Sequence, residues 1–183
     1  MSDQHRSGES ESDRPSTPRP RDVVDDIRDG WRRLRPDIDT RTIEVAGRIL
    51  RMASLITRRG DEVLAGFALT RGEFDILSAL RRHDAPQSPG ALRTVALATG
   101  PATTKRLRSL QSRELIARSA NPDDGRGALI ELTAEGSALI DEVFPRLLEV
   151  ERELLAGIPA TDADPLVAAL RRALAGMEQP TGA

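Results

Sequence analysis

Apolar residues recur at helical spacing along most of this chain, and the pattern changes only over one central stretch. Val23, Ile27, Trp31 and Leu34 predict an amphipathic helix over Asp22–Arg35, which Pro36 ends. A longer helix follows from Thr40 to Phe67. Its stripe is Ile43, Ala46, Ile49, Leu50, Ala53, Ile56, Val63, Leu64 and Phe67, with Gly60 expected to bend it. Thr70 and Glu73 have the spacing of a capping box and open a helix whose Phe74, Leu77 and Leu80 face inward. Beyond the winged stretch described next, Thr133 caps a helix to about Ala156 with the stripe Leu139, Val143, Leu147, Val150 and Leu154, bent at Pro145. After Pro159, a last helix carries Leu166, Leu170, Ala173, Leu174 and Met177.

Between Gln87 and Thr133 the elements become short. Ser88–Ala96 predicts a short helix, Thr99 and Gly100 a turn, and Pro101–Ser112 a second helix. Leu115–Arg118 and Ala128–Leu132 predict two strands around the turn-rich tip Asn121–Gly127. Helix, turn, helix and a two-stranded wing make a winged helix-turn-helix, whose second helix enters a DNA major groove. The predicted fold is mainly α, with helices on both sides of this module forming a dimerisation region. The organisation expected is a disordered tail to residue 20, N-terminal helices over 21–68, the DNA-binding region over 69–132, C-terminal dimerisation helices over 133–178, and a tail over 179–183. Stripes on both the N- and C-terminal helices predict interdigitation of two copies.

Charge sharpens this picture. The net charge is −2, but Arg93–Arg126 holds seven basic residues against three acids, a balance of +4. From Thr133 onward nine acids face four arginines, a balance of −5. A basic face on an acidic body suits a nucleic-acid partner. With Thr103, Leu107 and Leu110 inward, a rotation of about 100° per residue turns Lys105, Arg108 and Ser112 outward, with Thr104 on the flank. These four and Arg126 beyond the tip are the candidate DNA contacts. Arg106 lies only about 70° from the inward centre, so its cation leans toward the interior and needs a partner.

Other chemistry is sparse. There is no cysteine, so disulfides, thiolate metal sites and thiol switches are excluded. The two histidines are His5 and His83, and no phosphate loop, metal cluster or nucleophile arrangement points to an enzyme or a bound cofactor. No apolar run approaches about 18 residues, and the N-terminus has no apolar signal segment. The expectation is a cytoplasmic protein without a membrane partner.

Leu69-Thr70, Phe74-Asp75-Ile76-Leu77, Thr104-Lys105-Arg106-Leu107, Asn121-Pro122-Asp123-Asp124 and Leu132-Thr133-Ala134-Glu135-Gly136 together resemble the MarR family of dimeric winged-helix repressors. Trp31, Arg35-Pro36-Asp37-Ile38-Asp39 and Gly47-Arg48-Ile49 resemble its urate-responsive subgroup, which has an extra first helix. The resemblance implies a homodimer on a pseudopalindromic double-stranded operator, released by urate or a related purine. It also implies an effector set of Trp31, Asp75, Arg106 and Arg118. A planar purine anion suits an aromatic face and arginine forks. Taken singly, Trp31 also reads as core, Asp75 as a solvated helix residue, and Arg106 or Arg118 as a phosphate contact. A different anionic aromatic effector, or a helical adaptor without DNA binding, are the alternative functions. The chain departs from the family pattern at Thr103, Lys105, Arg108-Ser109, Glu114 and Asp124-Gly125-Arg126, changes that bear on the operator more than on the fold.

Overall fold

The computed structural model describes residues 20–95, 99–121 and 127–178. The predicted disordered tail up to residue 19, and the predicted tip over 122–126 with Arg126, lie outside the described residues. Among the described residues, seven helices and two strands run in the order α1 (Val23–Leu34), α2 (Arg41–Ala65), α3 (Arg71–His83), α4 (Pro89–Val95), α5 (Gly100–Ser112), β1 (Ile116–Ala120), β2 (Ala128–Leu132), α6 (Ala134–Leu154) and α7 (Ala160–Glu178). This is the mainly helical, winged helix-turn-helix class that the pattern predicts. The chain divides into two compact units between Met52 and Ala53. Among the described residues no helix is long and apolar enough to cross a membrane.

In the first unit, the Asp22 carboxylate accepts from the backbone N–H groups of Val24 and Asp25, and the Asp25 carboxylate accepts from the Asp22 N–H, closing a capping box on α1. Ion pairs then join α1 to the first half of α2. Arg28 meets Glu44 at 2.7 Å, and Arg48 meets Asp22 at 2.8 Å and Asp25 at 3.0 Å. Arg48 therefore has a local structural use, as does Arg35, which pairs with Asp37 at 2.6 Å.

The second unit holds the core. Leu64, Ile76, Leu77, Leu110, Ile130 and Val143 are fully buried there, with most of the remaining apolar residues of α3 and α5 around them. Thr70 and Glu73 form the predicted capping box at α3, which satisfies two backbone donors of its first turn. Thr133 caps α6: its Oγ1 accepts from the Gly136 N–H at 3.0 Å and donates to the Glu114 carbonyl at 2.7 Å. β1 and β2 pair antiparallel with Ile116 opposite Leu132, and a single bridge ties Gln87 to Ile130.

Several expectations are corrected. β1 starts at Ile116, because Leu115 donates its N–H back to the Leu110 carbonyl and closes the end of α5. On α6 it is Ile140, not Leu139, that is fully buried, and Leu154 is exposed. Ala46, Leu50 and Ala53 of the α2 stripe face solvent, and α7 buries no residue within this chain. Gly60 does not interrupt α2. It is buried, and a Cβ there would overlap the Arg71 guanidinium, so its role is to admit a neighbour.

Candidate nucleic-acid interface and effector residues

α4 and α5 are the two helices of the helix-turn-helix. Thr99 is extended at the N-cap position of α5, and Pro101 lies in the first turn, where a missing N–H costs nothing. Thr103, Leu107 and Leu110 are buried, as the helical angle predicts. Thr104, Lys105, Arg108 and Ser112 are exposed on the other side. Lys105 and Arg108 form no hydrogen bond or ion pair among the described residues, so both cations are free for a ligand. The hydroxyls of Thr104 and Ser112 donate to their own helix, at Gly100 and Ser109 carbonyls respectively.

Arg106 is partly buried. Its guanidinium lies over Gly72, where a Cβ would collide with it, and its Nη1 is buried without a hydrogen-bond partner. A desolvated donor of this kind is costly unless something else completes it. Asp75 is one turn further along α3. Burial pushes its carboxyl above the ordinary aspartate range, and the nearby cations Arg71 and Arg106 only partly offset this. It makes no hydrogen bond and no ion pair within 4 Å among the described residues. The structure thus brings Asp75 and Arg106 into one electrostatic neighbourhood without bonding them. Arg118 is exposed on β1, opposite Ile130. Trp31 belongs to the other unit, on α1, and is 49% exposed, so reading it as simple core does not hold within the chain.

Ser109 on α5 and Arg113 at its C-cap escaped the sequence reading. The Ser109 hydroxyl donates to Glu73 Oε1 at 2.6 Å, and Arg113 Nη1 donates to the Ala68 carbonyl at 2.7 Å. Glu73 is buried, which pushes its carboxyl up. Hydrogen bonds from Ser109 and Thr70 outweigh that and hold it below the ordinary glutamate range. The available signal was spacing. Residues 106, 109 and 113 fall within an arc of about 60° on a helix, so Arg106 marks a polar seam rather than a lone misfit. Glu114, one of the departures from the family pattern, closes α5 with a left-handed φ of 57°, a conformation that glycine adopts at no steric cost.

A crevice of about 510 Å³ lies between α3 and α6, lined by Ser78, Arg81, Arg82, Ile140, Phe144 and neighbours. Phe144 stacks on Phe74 with ring centres 6.5 Å apart, and Arg81 is paired with Asp141 at 2.8 Å. Arg82 has no partner among the described residues. No cluster of described residues is arranged to hold a metal ion.

Comparison with known proteins gives a consistent result. A model of the MarR family matches residues 69–127. The HTH-type transcriptional regulator PecS of Dickeya dadantii is 37% identical over 134 residues, covering 72% of this chain and 81% of that protein. The structure of an Escherichia coli MarR mutant complexed with operator DNA superposes with a TM-score of 0.63 at 25% identity, covering 79% of this chain and 97% of that one. AbsC, a MarR family regulator from Streptomyces coelicolor, shares the fold, with a TM-score of 0.69 at 21% identity over 78% of this chain and 99% of its own.

Proposed function

This chain belongs to the MarR family of transcriptional regulators, and from that membership we propose that it is a dimeric repressor released from its operator by urate or a related purine. The carrying observation is α5. Its apolar side is buried in the core, while Lys105 and Arg108, without partners among the described residues, face outward beside Thr104 and Ser112. Cations placed this way neutralise phosphates and reach base edges in a major groove. The Escherichia coli relative bound to operator DNA supports the same use of the fold.

The dimer is supported by what one chain leaves uncovered. Val167, Leu170, Leu174 and Met177 of α7 are exposed, as are Val23, Ile27, Trp31 and Leu34 of α1. Runs of this kind at helical spacing on two separate helices want a partner surface. A two-fold dimer presents two reading helices to half-sites about 34–36 Å apart.

Effector action rests on Asp75 and Arg106. In the free protein the Asp75 charge acts on Arg106, which belongs to the reading helix itself. An anionic purine that takes up Arg106 and Arg118 competes for those cations and repels Asp75. Effector and DNA are then reciprocally antagonistic, with a coupling of about 1–3 kcal/mol. The test is urate titrated into a complex of the protein with DNA from its own promoter region. Release of the DNA is expected. DNA binding unchanged at millimolar urate removes the purine reading and leaves the regulator. One observation favours a second effector class. The crevice between α3 and α6 offers the Phe144 ring and unpaired Arg82 to another anionic aromatic compound. Thermal shift of wild type and Phe144→Ala across such compounds separates the two.

A further inference from the structure

Three consecutive residues at the start of α3 each engage a different neighbour. The Arg71 guanidinium lies over Gly60 of α2, and its Nε donates to Asp61 at 3.3 Å. Gly72 lies beneath the Arg106 guanidinium. Glu73 accepts the Ser109 hydroxyl at 2.6 Å. Just upstream, the carbonyls of Phe67 and Ala68 receive Arg113. One side of α5 and its C-cap is therefore seated on the α2–α3 junction, by hydrogen bonds at Ser109 and Arg113 and by the packing of Arg106 over Gly72.

The rest of α5 is held by Thr103, Leu107 and Leu110. Apolar burial is non-directional and leaves a helix free to roll on its seat. Hydrogen bonds lose strength steeply with angle and so set the roll. Side-chain tips lie about 5–6 Å from a helix axis, so a roll of about 10° moves them about 1 Å. That exceeds the roughly 0.5 Å tolerance of a preorganised contact.

Building on the DNA-reading role assigned to α5 above, we propose that Ser109 and Arg113 are positioning residues that set the roll of Lys105 and Arg108, and that Gly60 is the point through which α2 acts on that roll. The path is short. Arg71 rests on Gly60, Arg71 is covalently next to Gly72, and Gly72 carries Arg106 of the reading helix. A shift of α2 that displaces Arg71 is felt one residue later by α5.

The test compares wild type, Ser109→Ala, Ser109→Thr, Gly60→Ala and the double variant Gly60→Ala with Arg71→Ala. Each is titrated with a duplex that the wild-type protein enriches from a random-sequence pool, and with an unselected duplex at the same salt. Thermal unfolding is followed alongside. Ser109→Ala should lose about tenfold on the selected duplex, the size of one spoiled base contact, with the unselected duplex bound as before. Ser109→Thr keeps the hydroxyl and should restore affinity. Gly60→Ala should keep or raise the unfolding midpoint, because alanine favours a helix interior over glycine, yet still weaken selected binding. Removing Arg71 as well should rescue it. Wild-type affinity in both Ser109→Ala and Gly60→Ala overturns the proposal. So does an equal loss on both duplexes that follows a lowered midpoint. If the wild type enriches no sequence, the DNA-reading role falls first, and this inference with it.

Discussion

The Arg106 guanidinium fills the space that a side chain at position 72 would need. Gly72 in the first turn of α3 is therefore what lets a cation of the reading helix lie against α3 at all. Gly72→Ala should gain up to about 1 kcal/mol of helix propensity but must expel the guanidinium. The expected outcome is a protein of near-normal stability that binds urate at least about tenfold more weakly, the loss of one charged contact. Calorimetric titration checks it, and unchanged urate affinity would separate Arg106 from the effector.

Asp75 has a raised carboxyl pKa in the folded chain, because burial penalises its charge more than Arg71 and Arg106 relieve it. Between its ordinary and its folded value the native state holds more protons than the unfolded state. This contribution to stability is therefore complete below the ordinary aspartate pKa and fades as pH rises through the folded one. Asp75→Asn should unfold at a higher temperature than wild type at pH 7, with the difference vanishing near pH 3. The same substitution should blunt release of DNA by urate more than urate binding, whereas Trp31→Ala should weaken urate binding and leave DNA affinity near normal. Urate titrations of each protein–DNA complex distinguish the two patterns.

Lys105 and Arg108 are exposed and have no partner among the described residues, so removing either should cost little stability. Lys105→Ala and Arg108→Ala should each weaken DNA binding. A residue that contacts phosphate should also reduce the slope of log affinity against log salt by about 1. Affinity measured across a salt series reads both quantities. Wild-type values for both variants would mean that another face of α5 meets the DNA.

α7 exposes Val167, Leu170, Leu174 and Met177 and buries nothing in its own chain. Leu170→Glu with Leu174→Glu should convert a dimer to a monomer in sedimentation experiments, while the helical content of the second unit persists. A dimer unaffected by both charges would place the contact elsewhere.

Glu114 adopts a left-handed conformation at the end of α5. A residue with a Cβ pays about 1–2 kcal/mol there relative to glycine. Glu114→Gly should therefore raise the unfolding free energy by about 1 kcal/mol or somewhat less, since glycine also gains freedom in the unfolded chain. Denaturant titration measures it.

What the sequence by itself determined was local. The capping box of Thr70 and Glu73, the Thr133 cap of α6 and the buried side of α5 all depend on contacts three or four residues apart, which a helical period makes predictable. The inward lean of Arg106 was legible for the same reason. The partners of α5 were not. Ser109 meets Glu73 across 36 positions and Arg113 meets Ala68 across 45, and nothing in a one-dimensional pattern says which helix a polar seam will find. Periodicity also could not say what lies on the other side of an apolar stripe. On α3 it is the core, whereas on α7 and much of α2 it is solvent in the single chain, because burial depends on where the chain returns and not on the spacing of its residues. Gly60 and Gly72 make the same point. In sequence each is a weak link in a helix, and only the folded chain, by laying an arginine across each, turns an absent side chain into a seat.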